Sequence, residues 1–258
     1  MNLEDLRRIA LIFILIILPI DVYGKDKVVL ATNWLAQAEH GGFYQALAEG
    51  IYDKYNLEVT IRQGGPGVNT KALLVAGKVD FNIGGSAGAL NFVNSNVPFK
   101  AVAAIFQKDP QILLSHPNQQ NDTINDFKGK KILVSKFNKV TFWPFLRSKY
   151  GFTDDQIKPY NFSLQPFLND KKSIQQGYLT SEPYSIKMKT GIDPVINLLA
   201  DNGYTPYATT IETSNKNIEN NPDLVQRFVD ASIEGWYSYL YGNPSLGNYL
   251  IKKDNSEM

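Results

Sequence analysis

Residues 27–61 read KVVLATNWLAQAEHGGFYQALAEGIYDKYNLEVTI, and the pattern in this stretch carries the fold. The opening KVVLAT (27–32) is a β-branched run of the kind that fills a buried strand. After Gly41-Gly42, apolar residues at Phe43, Leu47, Ile51 and Tyr55 recur every fourth position and predict one helix. LEVTI (57–61) then alternates like a strand. Gly64-Gly65-Pro66-Gly67 interrupts the chain; it lacks the Gly-Lys-Ser/Thr ending of a phosphate loop and reads as a turn. Asn69 caps a helix running through Ala76, which Gly77 ends. VDFNI (79–83) is a further strand, and Gly84-Gly85-Ser86 leads into another helix. Strands alternating with helices predict βαβ units and a mainly parallel sheet.

Outward from this block, residues 101–114 read as two extended pieces joined at Lys108-Asp109-Pro110. A second βα pattern follows: KILVS (131–135) as a strand, then a helix with Pro144 in its first turn. Residues 207–213 look like a second extended crossing. Asn221-Pro222-Asp223 combines a cap, a proline at the first helical position and an acid in the first turn. That helix runs past Leu224, Phe228 and Trp236 to Gly242, and Asn243-Pro244 starts another. The expected organisation is a first lobe of residues 25–107 and 208–258 and a second lobe of residues 108–207.

Arg7 and Arg8, the apolar run 9–20 and the compact stretch Asp21–Gly24 form the three zones of a secretory signal peptide, expected at 1–24. Crossing a bilayer takes roughly 20 apolar residues, so the run is short for a span. The alternative is an uncleaved anchor. A mature chain starting near Lys25 is expected outside the cytoplasm, in the periplasm. The 258 residues contain no cysteine, which excludes disulfides, thiol nucleophiles and Cys-ligated zinc. Only two histidines are present, His40 and His116, so no histidine-rich metal site is expected. Net charge is +1 with scattered basic residues, and no stripe suited to nucleic acid stands out.

The segment Asn33-Trp34-Leu-Ala-Gln-Ala-Glu-His40-Gly41-Gly42-Phe-Tyr44-Gln-Ala46, followed by Glu49-Gly50-Ile-Tyr52, resembles the start of a known family. Further matches are Leu74-Val-Ala-Gly77-Lys78-Val79-Asp80-Phe81, Val102-Ala-Ala-Ile-Phe106-Gln107, Phe127-Lys-Gly129-Lys130 and Gln175-Gln176-Gly177-Tyr-Leu-Thr-Ser-Glu182-Pro183. The family is that of substrate-binding proteins of ABC importers for nitrate, sulfonates, taurine and thiamine-pyrimidine precursors, with a pyrimidine-synthase branch. The resemblance implies an α/β, type II periplasmic-binding-protein fold, in which two lobes joined by two hinge crossings close over a ligand. Family members usually continue for several further helices, so against that pattern the C-terminus looks truncated.

Candidate ligand residues follow from position and resemblance together. Asn33 and Trp34 follow the first strand, where a loop faces an interlobe cleft, and Trp34 supplies a flat stacking face. His40 precedes a helix start and reads equally as a cap. Gly84-Gly85-Ser86-Ala87-Gly88 fits the G-x-S-x-G elbow of hydrolases, but only His116 follows, too few partners for a Ser-acid-His order. The preferred reading lets Gly85 and Ser86 approach a polar ligand edge. Phe106 and Gln107 lie at the first crossing. Phe142 and Trp143 open a second-lobe helix and are expected to complete an aromatic sandwich, with core packing as the alternative. Glu182, just before Pro183, is expected to be held extended and to accept from ligand amines.

These readings predict a non-enzymatic solute-binding protein, a monomer that needs no cofactor or metal. Its expected partners are a small planar nitrogen-containing ligand and an ABC permease at the inner membrane, with no nucleic acid. Taurine, alkanesulfonate or nitrate is the alternative ligand class. The pyrimidine-synthase branch is the enzymatic alternative; its cysteine-rich motif is missing here.

Overall fold

The structure, a computed structural model, describes residues 24–256. The leader expected at 1–24 lies, apart from its last residue, outside them. The strands are β1 (Asp26–Ala31), β2 (Leu57–Arg62), β3 (Phe81–Gly85), β4 (Phe99–Phe106) and β5 (Gln111–Ser115). They continue with β6 (Ile132–Val134), β7 (Ile157–Pro159), β8 (Ile174–Tyr178), β9 (Val195–Leu198) and β10 (Ala208–Ser214). Two five-stranded sheets result, in the orders β2-β1-β3-β10-β4 and β7-β6-β8-β5-β9. β1 is parallel to β2 and β3, and β6 is parallel to β7 and β8.

The chain passes from the first sheet to the second between β4 and β5 and returns between β9 and β10. A strand arriving from the other lobe enters its new sheet from the opposite end. Accordingly β5 lies antiparallel to β8 and β9, and β10 antiparallel to β3 and β4. This double crossing makes the chain a hinged pair of α/β lobes. It also places the β1 and β8 exit loops where the lobes meet.

Helices α1 (Gly41–Ala48) and α2 (Ile51–Lys54) replace the single helix expected over 43–55. Gly50 between them has φ 66°, a left-handed conformation that ends one helix and starts the next. α3 (Thr70–Val75) carries the predicted cap, the Asn69 side chain accepting from Ala72 N at 3.1 Å. α4 (Ser86–Asn94) follows β3. In the second lobe lie α5 (Trp143–Tyr150), α6 (Gln165–Asn169) and α7 (Glu182–Thr190), and α8 (Asn215–Asn220), α9 (Pro222–Tyr241) and α10 (Ser245–Asp254) return to the first.

The first-lobe core gathers Leu30, Phe43, Tyr52, Phe81, Phe228 and Trp236. Phe228 is stacked on both sides, by Phe81 at 4.0 Å and Tyr52 at 5.6 Å. Each such side chain fully buried contributes about 1.5–3 kcal/mol. α1 and α9 approach unusually closely. A Cβ on Gly42 would fall 2.2 Å from the Trp236 ring, and one on Gly235 would fall 2.4 Å from Gly42 O. The Gly41-Gly42 pair therefore serves helix packing. The second-lobe core collects Phe127, Phe142, Trp143, Leu146, Phe152 and Ile174.

Candidate functional site

Where β1 ends, Thr32 Oγ1 donates to Trp34 O at 2.7 Å, and Gly64 N donates to the same carbonyl at 3.1 Å. A Cβ at Gly64 would sit 2.4 Å from Thr32 O, so only glycine lets the second turn support the Trp34 loop this closely. The loop leaves Asn33 exposed and Trp34 half-buried. His40 is buried, with Nε2 3.0 Å from Asn33 Oδ1. Burial pushes its pKa down to about 4, opposed by the Leu35 carbonyl, so the imidazole is neutral at pH 7. A neutral ring facing an amide oxygen donates from Nε2, which fixes the Asn33 side chain rather than a ligand. Beside it, Glu39 is only 8% exposed.

From the second lobe, Tyr160, Phe162, Tyr178, Thr180 and Glu182 face this loop. Glu182 Oε1 accepts from Tyr160 Oη at 3.1 Å, and Oε2 accepts from Tyr178 N at 2.7 Å. Burial raises the Glu182 pKa; those hydrogen bonds oppose the rise, and the Glu39 charge adds to it. Glu182 is the first residue of α7, not an extended residue as the following proline suggested. Proline is tolerated in a first helical turn, where its missing N–H has no partner to lose.

Two contacts join the lobes here. The rings of Trp34 and Phe162 lie 4.5 Å apart at 51°, and Phe162 continues onto Tyr160 at 5.2 Å. Thr180 Oγ1 donates to Glu39 Oε1 at 2.6 Å. Trp34 and Glu182 thus lie on the facing sides of the two lobes, linked through Phe162 and Tyr160. Behind them is the hinge. Asp109, 8% exposed, accepts from Gln111 N at 2.8 Å, and burial raises its pKa to about 6. Tyr178 shares a hydrogen bond with the Thr209 side chain; burial raises the phenol's pKa, with the Asp109 and Glu39 charges adding to it. Thr209 has φ 49° where the β3–β10 register shifts, and Phe162 has φ 63°. Left-handed backbone is a genuine outlier for a β-branched or bulky residue. Among the described residues no lysine or arginine forms an ion pair with Glu39, Asp109 or Glu182.

Several expected residues lie elsewhere. Phe142 and Trp143 are 0% and 2% exposed in the second-lobe core, and the Trp143 indole N–H is taken by Asp154 Oδ1 at 2.9 Å. They have no face left for a ligand. Phe106 packs edge-on against Trp236 at 5.8 Å in the first lobe. Gln107 is exposed and its amide turns back to Ala104 O at 2.7 Å. Gly85 pairs with Ala208 and its N–H serves the Glu212 carboxylate. Ser86 is locked to Tyr207, donating from N to Tyr207 O and accepting at Oγ from Tyr207 N, both at 3.0 Å. These N–H groups close the second crossing instead of meeting a ligand. His116, the histidine that follows Ser86 in sequence, stacks on Phe167 at 4.1 Å in the second lobe. The sequence reading missed Glu39, Tyr160, Phe162, Tyr178 and Thr180. The matched motifs contain Glu39, Tyr178 and Thr180, which was the available signal; Phe162 lies in a stretch with no periodicity.

The sequence model of the NMT1/THI5-like family matches residues 37–245. The riboflavin-binding protein RibY of Chloroflexus aurantiacus is 24% identical over 217 residues, covering 81% of this chain and 61% of that protein. A putative thiamine biosynthesis protein of Haemophilus influenzae is 24% identical over 157 residues, covering 59% and 50%. The chain thus spans between half and two thirds of the length of the curated relatives it matches. The periplasmic aliphatic sulphonate-binding protein SsuA of Escherichia coli superposes with a TM-score of 0.66 at 13% identity, covering 90% of this chain and 75% of that one. That likeness establishes the periplasmic-binding-protein fold, and by the extent of the family match the chain belongs to the NMT1/THI5-like family.

Proposed function

We propose that this protein is the solute-binding component of an ABC importer, working as a periplasmic monomer that captures a small planar nitrogen heterocycle, with an aminopyrimidine of the thiamine-precursor type as the first choice. The ligand enters between the lobes, hinge closure follows, and the closed form docks on a permease at the inner membrane. The observation that carries this reading is the meeting of Trp34 with Phe162 across the gap, next to the Glu182 carboxylate. Parting these rings from 4.5 Å to about 7 Å admits one flat ring between them, which then gains stacking from both lobes. Its amine hydrogens meet a carboxylate already oriented by Tyr160 and Tyr178. The strained backbone at Phe162 and Thr209 supports the same place, since such strain collects at ligand clamps and hinges.

The names of the two relatives point the same way, one a riboflavin-binding protein and the other a putative thiamine biosynthesis protein. A sulfonate or nitrate would meet Glu39, Asp109 and Glu182 with no paired cation to receive it. Calorimetric titration of the purified protein with hydroxymethyl-aminopyrimidine, formylaminopyrimidine, riboflavin, taurine and nitrate tests the reading. Saturable binding of a heterocycle without turnover is expected. Tight binding of taurine or nitrate alone would overturn the ligand class, and product formation would overturn the transport role.

A further inference from the structure

We infer that Glu39 is a charge-selecting ligand residue which, with Glu182 opposite it, restricts the gap to ligands bearing positive charge or a pair of N–H donors on one edge. This deepens the reading of the gap as a ligand site and rests on it. Glu39 lies in the short helical turn Ala38–His40 and is 8% exposed. Its bond from Thr180 Oγ1 at 2.6 Å shows that the carboxylate leaves its own lobe and points into the gap. Its second oxygen has no hydrogen-bond partner among the described residues. Glu182 begins two residues beyond Thr180, and the Glu39 charge is felt there.

Closure over a ligand takes the free Glu39 oxygen out of water, which is costly unless the ligand donates to it, and a second carboxylate facing it adds repulsion. The neighbouring His40 is neutral and supplies no counter-charge. A cationic or diamino edge placed between Glu39 and Glu182 relieves both costs through charge-assisted hydrogen bonds. An anion in the same place increases them. A simple interlobe latch would need only the Thr180 bond and would not require a second carboxylate opposite.

The test is calorimetric titration of wild type, Glu39→Gln and Glu182→Gln with four probes: hydroxymethyl-aminopyrimidine, its N-methylated cation, choline and ethanesulfonate. In wild type the cationic pyrimidine should bind tightest and ethanesulfonate weakest. Glu39→Gln should weaken the cation by about tenfold, since a charge-assisted bond is roughly twice as strong as a neutral one. Should choline bind and the pyrimidines not, and Glu39→Gln weaken choline, charge selection holds while the planar-ligand reading fails. Equal affinity in Glu39→Gln and wild type, or ethanesulfonate as the best wild-type ligand, overturns the assignment. If no probe binds, carbon-13 NMR of the Glu182 carboxyl decides. Its titration should move to lower pH in Glu39→Gln, and an unmoved titration overturns the assignment.

Discussion

On the second lobe the gap-facing carboxylate, Glu182, is held by two donors of its own lobe, Tyr160 Oη and Tyr178 N. On the first, Glu39 has one donor, and that one is Thr180 from across the gap. The aromatic rims differ in the same way. Phe162 rests on Tyr160 of its own lobe, whereas the ring contact recorded for Trp34 is with Phe162 of the other. The second-lobe carboxylate is therefore held by its own lobe, and the first-lobe carboxylate by a contact across the gap. On the proposed binding role, the preorganised carboxylate would orient the ligand and the other would sense that it has arrived.

Replacing the two tryptophans separates support from sensing, and gives the largest expected effect. Trp143→Ala removes a core ring and its N–H bond to the exposed Asp154, and should cost about 3–5 kcal/mol of stability in urea unfolding. Trp34→Ala should change stability by less than about 1 kcal/mol yet weaken heterocycle binding ten- to thirtyfold. If Trp34→Ala proved as destabilising as Trp143→Ala, the first-lobe rim would be core, and the comparison would collapse.

The second effect is on pH, from one buried group on each side of the comparison. His40 in the first-lobe rim has its pKa lowered from 6.5 to about 4, so the stability it contributes is present above pH 6.5 and lost as pH falls towards 4. Asp109 at the hinge has its pKa raised from 3.8 to about 6, so its contribution is present below 3.8 and lost as pH rises towards 6. Between pH 4 and 6 the two slopes oppose each other. Urea midpoints should show Asp109→Asn gaining on wild type by about 2 kcal/mol as pH rises from 4 to 7. His40→Gln should gain by a similar amount as pH falls across the same range. Parallel curves for all three proteins would mean that neither group is buried in solution.

The lobes, both crossings and most first-lobe elements were legible because their strands are apolar and their turns carry Gly, Pro and Asn. The rim was less so. β8 reads IQQGY, with Gln175 and Gln176 buried, and polar residues inside a central strand hide both its period and its direction. Phe142 and Trp143 look like rim residues because an aromatic pair at a helix start has the same local pattern in a core or at a cleft. Only the Asp154 partner, found in space, tells them apart. Ser86 was misleading for a related reason, since the groups that satisfy it sit at Tyr207, far away in sequence.

Thr180→Val tests the comparison with the smallest expected effect. Removing the hydroxyl leaves Glu39 Oε1 without its donor, and inside a sealed interior that would cost about 1–3 kcal/mol. If Glu39 is completed only by closure, however, the lobes part slightly and water satisfies the carboxylate. The cost then falls on the closed state and not on folding. Urea unfolding should stay within about 0.5 kcal/mol of wild type, as for a surface change. Small-angle scattering of the ligand-free variant should show a larger radius of gyration than wild type. A loss of stability above about 2 kcal/mol with unchanged scattering would mean that the two lobes form one permanent core at Glu39, leaving the first-lobe rim nothing to sense.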